Sequence, residues 1–95
     1  MIVRIVRLTL QPEKAEEFLN HFNKIKNRIA DFDGCLFLEL HHELHQPNVF
    51  FTISHWQSES YLMAYQQSDF FKETWSTVKP LFQSKAEAWS LEKIS

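Results

Sequence analysis

Five histidines are the side chains that most directly suggest metal or acid–base chemistry in this chain. Three of them, His41, His42 and His45, lie close together, and His55 follows after a predicted turn. A zinc site requires three or four ligands that converge on one ion. Alternation along a strand instead sends His41 and His42 to opposite faces, and His45 lies beside the turn. We therefore expect polar residues at the end of a hairpin and no metal site.

His42 and Tyr65 are the two residues predicted to act on a substrate. His42 lies on an otherwise leucine-rich strand face. It is either a core histidine with satisfied hydrogen bonds or a base facing a pocket, since imidazole can accept a proton near pH 7. Tyr65 is predicted to lie on a helix that faces the sheet. It either packs in the core or donates a hydrogen bond from its phenol to a substrate oxygen.

Five further residues are predicted to surround a bound substrate. Arg4 and Val6 share one face of a predicted strand. Arg4 either neutralises an anionic substrate there or lies at a solvated strand end. The others are aromatic residues of the second helical region, namely Tyr61, Phe71 and Trp75, which at helical spacing either pack in the core or line a pocket.

The elements that position these residues follow from hydropathy patterns and from capping residues. The predicted order is a strand over 2–10, an amphipathic helix from Pro12 that ends at Asp33 and Gly34, strands over 35–45 and 49–56, helical segments capped by Ser58 and by Ser68 or Asp69, and a strand over 85–94. This β-α-β-β-α-β order predicts an α+β, ferredoxin-like fold with an antiparallel sheet and the helices on one face. Residues 1–95 are expected to form a single domain.

Each face of the predicted sheet has its own apolar residues. Alternation over 35–45 predicts a helix-facing row that comprises Leu36, Leu38, Leu40, His42 and Leu44. The opposite sheet face carries Phe37, Trp89 and either Phe50 or Phe51, depending on the register. We infer that this face packs against a second copy of the chain. The alternative is a monomer with a partly apolar, wet sheet face.

Composition excludes several classes of protein. The 10 basic and 12 acidic side chains give a net charge of −2, which argues against a nucleic-acid partner. Cys35 is the single cysteine, so no internal disulfide forms, and we interpret it as a buried thiol. No apolar run reaches the length of a membrane helix, and a cytoplasmic location is expected. The nine Phe, three Trp and two Tyr exceed what so short a chain easily buries, which indicates a pocket or a partner surface.

Three stretches resemble the antibiotic biosynthesis monooxygenase family of dimeric α+β barrels. They are Arg7–Phe18, with the sequence RLTLQPEKAEEF, then Asp33–Leu36, and then Trp56–Phe71, with its elements W-Q-S-E-S, A-Y and S-D-F-F. The resemblance implies a homodimer formed through the sheet faces, with a pocket in each subunit between sheet and helices. It also implies oxidation of a small aromatic or quinol-type compound with no metal, flavin or other cofactor.

The sequence departs from the family at positions that matter for chemistry. The family's histidine, nine residues after the strand-end tryptophan, corresponds to Tyr65. A haem-degrading branch of the family has characteristic residues at three positions, which are occupied here by Val6, Tyr65 and Trp75. None of the branch's own residues is present at these positions. Because Trp75 cannot ligate a haem iron, haem degradation is not expected. Two hypotheses remain: a cofactor-independent monooxygenase, or a non-catalytic ligand-binding or regulatory dimer that has lost the histidine.

Overall fold

Four strands and three α-helices make up the fold in the computed structural model, which describes residues 1–95. In chain order they are β1 (Ile2–Thr9), α1 (Ala15–Ala30), β2 (Cys35–His42), β3 (Val49–Trp56), α2 (Glu59–Gln66), α3 (Asp69–Val78) and β4 (Glu87–Glu92). The strands form one antiparallel sheet in the order β2-β3-β1-β4. The predicted α+β, ferredoxin-like fold is confirmed. None of the helices has both the length and the apolar composition needed to cross a membrane.

The central strand β1 determines which residues face the helices. It pairs with β3 on one side and with β4 on the other, so that Arg4 lies between Ser54 and Ser90. Val6, two residues further on, lies between Thr52 and Ala88. Because strand side chains alternate between faces, these two rows share the helix-covered face. The predicted common face of Arg4 and Val6 is therefore observed.

The core lies between the helix-covered face of the sheet and helices α1 and α3. Nine buried side chains form it, namely Leu8, Leu10, Phe18, Phe22, Ile29, Phe50, Phe70, Val78 and Leu81. Phe18 packs on Phe50, with ring centroids 5.3 Å apart. The segment after β1 is joined to the turn after α3, because Gln11 N donates a hydrogen bond to Leu81 O.

Helix α1 is amphipathic but ends earlier than predicted. A 3-10 turn over Pro12–Lys14 leads into it, and its buried residues are Phe18, Phe22 and Ile29. The helix ends at Ala30 rather than at Asp33, and Gly34 (φ 83°) lies in the turn that leads into β2. Phe32 lies beyond the end of the helix, and its ring packs against α2 and α3, with its centroid 4.9 Å from that of Tyr65 and 5.6 Å from that of Phe70.

The predicted leucine-rich row on β2 is only partly correct. The register of β2 on β3 shifts between Cys35 and Phe37, so Leu36 is accommodated in a bulge and its side chain is 59% exposed. The strand ends at His42, and Leu44 beyond it is 80% exposed. Only Leu38 and Leu40 pack against the core. Alternation could not anticipate either the bulge or the early strand end.

Two serines cap the short helices, as predicted. Ser58 Oγ accepts a hydrogen bond from the Tyr61 amide and caps α2, and Ser68 Oγ accepts one from the Phe71 amide and caps α3. Ser68, not Asp69, is therefore the second cap. Pro80 lies in the 3-10 turn Lys79–Leu81 that follows α3, so the helix stops where a proline disfavours its continuation.

The sheet face opposite the helices is largely apolar and no element of the chain covers it. The register resolves the open choice, since Phe51 and not Phe50 lies on this face, opposite His41 and Arg7. We call the surface the open face; its apolar members are Val3, Ile5, Phe37, Phe51, Ile53, Trp89 and Leu91. Trp89 is 44% exposed on it.

The substitution Gly34→Ala is expected to destabilise the fold for two reasons. A side chain at this positive φ is strained, and an added Cβ would collide with the Tyr61 ring. We expect a loss of roughly 1–3 kcal/mol in the free energy of unfolding, measured by chemical denaturation. The variant Tyr61→Ala and the double variant complete a thermodynamic cycle. If the free-energy losses of the two single variants simply add in the double variant, a collision with the Tyr61 ring is not what makes Gly34→Ala unfavourable.

Candidate functional site

A cavity of about 720 Å³ lies between the helix-covered sheet face and the helices. Its floor consists of sheet residues from β1, β3 and β4, including Arg4, Val6, Thr52, Ser54 and Ala88. Its walls come from α1 on one side and from α2, α3 and the segment after α3 on the other. Most of the lining side chains are hydrophobic, which suits a small, mainly apolar ligand.

A chain of aromatic contacts forms one wall of the cavity. Tyr65 stacks on Trp56 with ring centroids 5.0 Å apart, and it meets Phe71 edge-on at 5.1 Å. Phe71 is followed by Trp75 at 5.8 Å, and Trp75 by Phe82 at 5.8 Å. Trp56 is only 1% exposed and donates a 3.0 Å hydrogen bond from Nε1 to Ser54 Oγ. The wall is thus anchored on β3 through a fixed tryptophan.

Tyr65 is held as a neutral phenol in this wall. Burial raises its pKa above the ordinary value, and the neighbouring Cys35 raises it further. The hydroxyl therefore keeps its proton at neutral pH and is suited to donating a hydrogen bond rather than to removing a proton. The thiol of Cys35 also has a pKa raised by burial, which disfavours the thiolate that a nucleophile requires.

Arg4 brings a positive charge to the cavity floor. Its Nη1 donates a 3.0 Å hydrogen bond to Ser90 Oγ on the adjacent strand. No carboxylate of the chain forms an ion pair with Arg4. The other arginine of β1, Arg7, does form an ion pair, with Glu87 on the open face. Burial lowers the pKa of the Arg4 guanidinium, although an arginine remains charged at physiological pH.

His21 is a cavity residue that the sequence reasoning missed. It lies on α1 among the lining side chains, and its Nε2 is buried with no hydrogen-bond partner. The sequence contained a signal, because His21 follows Phe18 by three residues and precedes Ile25 by four. That spacing places it on the apolar stripe of the helix. A histidine there, with an unpartnered nitrogen, is a candidate for contact with a ligand.

Two predicted site residues do not line the cavity. His42 is exposed at the end of β2, with its Nδ1 2.9 Å from Glu43 O. It lies beyond the last leucine that packs on the core, so it is not a base facing the pocket. Tyr61 packs against Gly34 in the turn before β2, is 38% exposed and does not line the cavity. The other five predicted residues, Arg4, Val6, Tyr65, Phe71 and Trp75, do line it.

The remaining histidines of the hairpin are separated from one another. His41 Nε2 lies 2.8 Å from Glu39 Oε1 on the open face. His55 lies opposite Phe37, whereas His41 lies opposite Phe51, so the two imidazoles occupy different rows of the sheet. No group of three His, Cys, Asp or Glu side chains converges in the structure.

The ionisation of Tyr65 provides a test of its burial. In alkaline absorbance titrations, the difference between wild type and Tyr65→Phe reports this phenol, and its midpoint should exceed the ordinary value of about 10. Because the unfolded chain loses this proton at lower pH than the folded chain, the stability due to Tyr65 should fall as the pH rises above about 10. A difference curve with an ordinary midpoint would contradict the buried placement.

Solved structures resemble this fold over nearly its whole length. A conserved protein from Methanosarcina mazei Go1 is 24% identical, with coverage of 99% of this chain and 94% of that one and a TM-score of 0.91. A structure described as an antibiotic biosynthesis monooxygenase is 15% identical over the full length of both chains, with a TM-score of 0.92. Rv0793 from Mycobacterium tuberculosis is 14% identical, with coverage of 99% and 95% and a TM-score of 0.89. At these identities the likeness shows the fold.

Sequence comparison identifies the family directly. A Natronomonas pharaonis protein with a provisional heme-binding name is 33% identical over 66 residues, which are 70% of this chain but 11% of that protein. The chain therefore spans only a small part of that relative. Residues 1–75 match the antibiotic biosynthesis monooxygenase family. The match covers most of the chain, as the three resembling stretches predicted, and the chain belongs to the antibiotic biosynthesis monooxygenase family.

Proposed function

We propose that this chain is a cofactor-independent monooxygenase that acts on a small aromatic or quinol-type compound. The observation that carries the proposal is the aromatic-walled cavity of about 720 Å³, which contains the neutral phenol of Tyr65. A cavity of this size and lining accepts one small ring system. Family membership supports the same chemistry.

The oxidation balances without a separate reductant. A hydroquinone and O₂ yield a hydroxyquinone and water: one oxygen atom enters the ring and the other leaves as water. The electrons come from the substrate, since the quinol is itself oxidised to the quinone. The protein's part is to bind the ring, stabilise its anion and exclude bulk water.

The cavity residues divide between these tasks. Val6, Phe71 and Trp75 supply apolar contact with the ring, and Tyr65 donates a hydrogen bond to a substrate oxygen. His21, in place of the predicted His42, is the base that we propose for the substrate hydroxyl, because a neutral imidazole accepts protons efficiently near pH 7. Its unpartnered Nε2 supports this role.

Two other ligand-binding roles compete with this proposal. The first is a non-catalytic binding or regulatory protein, favoured by Tyr65 at the family's histidine position, because its raised pKa prevents base catalysis there. The second is haem binding, suggested by the name of the Natronomonas relative. Trp75 offers no ligand at the branch's position, whereas the His21 imidazole could ligate iron.

We also propose that the open face is the interface of a homodimer and that residues 1–95 form a single domain. Aliphatic and aromatic residues dominate the two central strands on this face, and the charged residues Glu39 and Glu87 lie on the edge strands β2 and β4. An apolar centre with a polar rim is typical of protein interfaces. The expected cytoplasmic location remains a prediction.

Oxygen consumption tests the enzymatic proposal. With a panel of hydroquinones and hydroxyanthraquinones, wild-type protein should accelerate O₂ uptake and produce the oxygenated product detected by mass spectrometry. We expect Tyr65→Phe to lower the rate roughly 10- to 100-fold, since it removes one hydrogen bond to the developing anion. Tyr61→Phe is the matched control, because this tyrosine lies outside the cavity, and it should retain wild-type activity.

The same panel separates the alternatives. Saturable binding of panel compounds without O₂ uptake would show that the chain is a binding protein and not an enzyme for these compounds. Haemin is a further arm, and we expect no saturable shift of its Soret band. A saturable shift of the Soret band that His21→Ala abolishes would show that haem, and not a small aromatic substrate, is the ligand.

Light scattering tests the homodimer. At micromolar concentration the mass should be about twice the 11.4 kDa of the chain. We expect Trp89→Glu to shift the population toward monomer, because it places a charge beside Ile5 among the apolar residues of the open face. Met63→Glu is the control: Met63 is 48% exposed, comparable to Trp89, but lies on α2. A wild-type monomer, or equal effects of the two variants, would contradict the interface.

A further inference from the structure

The charged side chains that line the cavity all have the same sign. Arg4, Lys79 and Lys85 border it, and no Asp or Glu does so. The chain as a whole carries more acidic than basic residues, with a net charge of −2. The concentration of positive charge is therefore a property of the cavity rather than of the protein surface in general.

Arg4 has unused binding capacity at the cavity floor. A guanidinium has five N–H donors, and the one side-chain partner of Arg4 is the neutral hydroxyl of Ser90. Glu92 is the nearest acidic residue along the same face of β4, but it is exposed and forms no ion pair with Arg4. A partly buried cation without a counter-ion is costly, and its lowered pKa reflects that cost.

The surroundings of Arg4 favour a particular type of counter-ion. Val6 and Ala88 lie beside it on the floor, so an anion that is attached to an apolar body gains apolar contact next to Arg4. The aromatic wall of Tyr65, Phe71 and Trp75 provides the complementary surface for that body. A planar carboxylate matches the fork of a guanidinium with two parallel hydrogen bonds.

We propose that the cavity selects aromatic compounds that carry an anionic group, with the anion paired to Arg4 and the ring held against the aromatic wall. The inference rests on the proposed function, because it names the class of compound that the proposed site takes. Lys79 and Lys85 are exposed at the rim. They attract the anion toward the entrance, an effect that salt screens, whereas the pairing with Arg4 inside is screened less.

Calorimetric titration with a matched pair of probes tests this selectivity. 2-Naphthoate and 2-naphthylmethanol share one ring system and differ in charge. Wild-type protein should bind the carboxylate at least about tenfold more tightly than the alcohol, as expected for a charge-assisted hydrogen bond. Arg4→Gln should abolish this preference and leave the affinity for the alcohol unchanged. Lys24→Gln is the control, since it removes one positive charge from the exposed surface of α1.

The outcomes distinguish this inference from the function on which it rests. Equal wild-type affinity for both probes would overturn the anion selectivity and leave the aromatic cavity intact. If Arg4→Gln is folded by circular dichroism and loses affinity for both probes equally, Arg4 supports the shape of the cavity and does not select for charge. If neither probe binds the wild-type protein, both the anion selectivity and the proposed aromatic ligand are wrong.

Discussion

The register between β1 and β3 is the constraint on which the other features depend. It places Arg4 opposite Ser54, Val6 opposite Thr52 and Leu8 opposite Phe50. One row of side chains thereby begins at the cavity floor and ends in the core. A slip of one residue would move the whole row to the open face and bring Ile5 and Arg7 beneath the helices. The buried core and the ligand cavity are therefore two consequences of one strand pairing.

The distribution of aromatic residues follows from that pairing. Phe18, Phe22 and Phe50 belong to the core between α1 and the sheet. The rings of Trp56 and Tyr65 stack on each other and border the cavity. A third group remains on the open face. Hydrophobic burial within one chain accounts for the first group, and the others are available for a ligand and for a second subunit.

The sequence predicted the parts of this arrangement that depend on regular spacing or on local capping. Alternation correctly paired Arg4 with Val6 on one face, and the serine caps placed the two short helices. Prediction failed where a local irregularity interrupts the spacing. The sequence did not predict the bulge at Leu36 or the early end of β2. His42 stays opposite Phe50 on the helix-covered face, but it is exposed at the end of the strand and does not line the cavity. Tyr61 and Tyr65 are four residues apart on α2, which places them on the same side of the helix. Spacing therefore could not show that Tyr61 packs against Gly34 whereas Tyr65 reaches the cavity. His21 was overlooked despite its place on the apolar stripe of α1.

The last strand gives the fold a way to diversify. All six residues of β4 are exposed, yet this strand supplies part of the cavity floor through the small side chain of Ala88. None of the nine core residues belongs to it. Changes in side-chain volume along β4 can therefore reshape the space offered to a ligand at little cost in folding stability. The cavity of this fold can thus be altered through an edge strand without any change to a core residue.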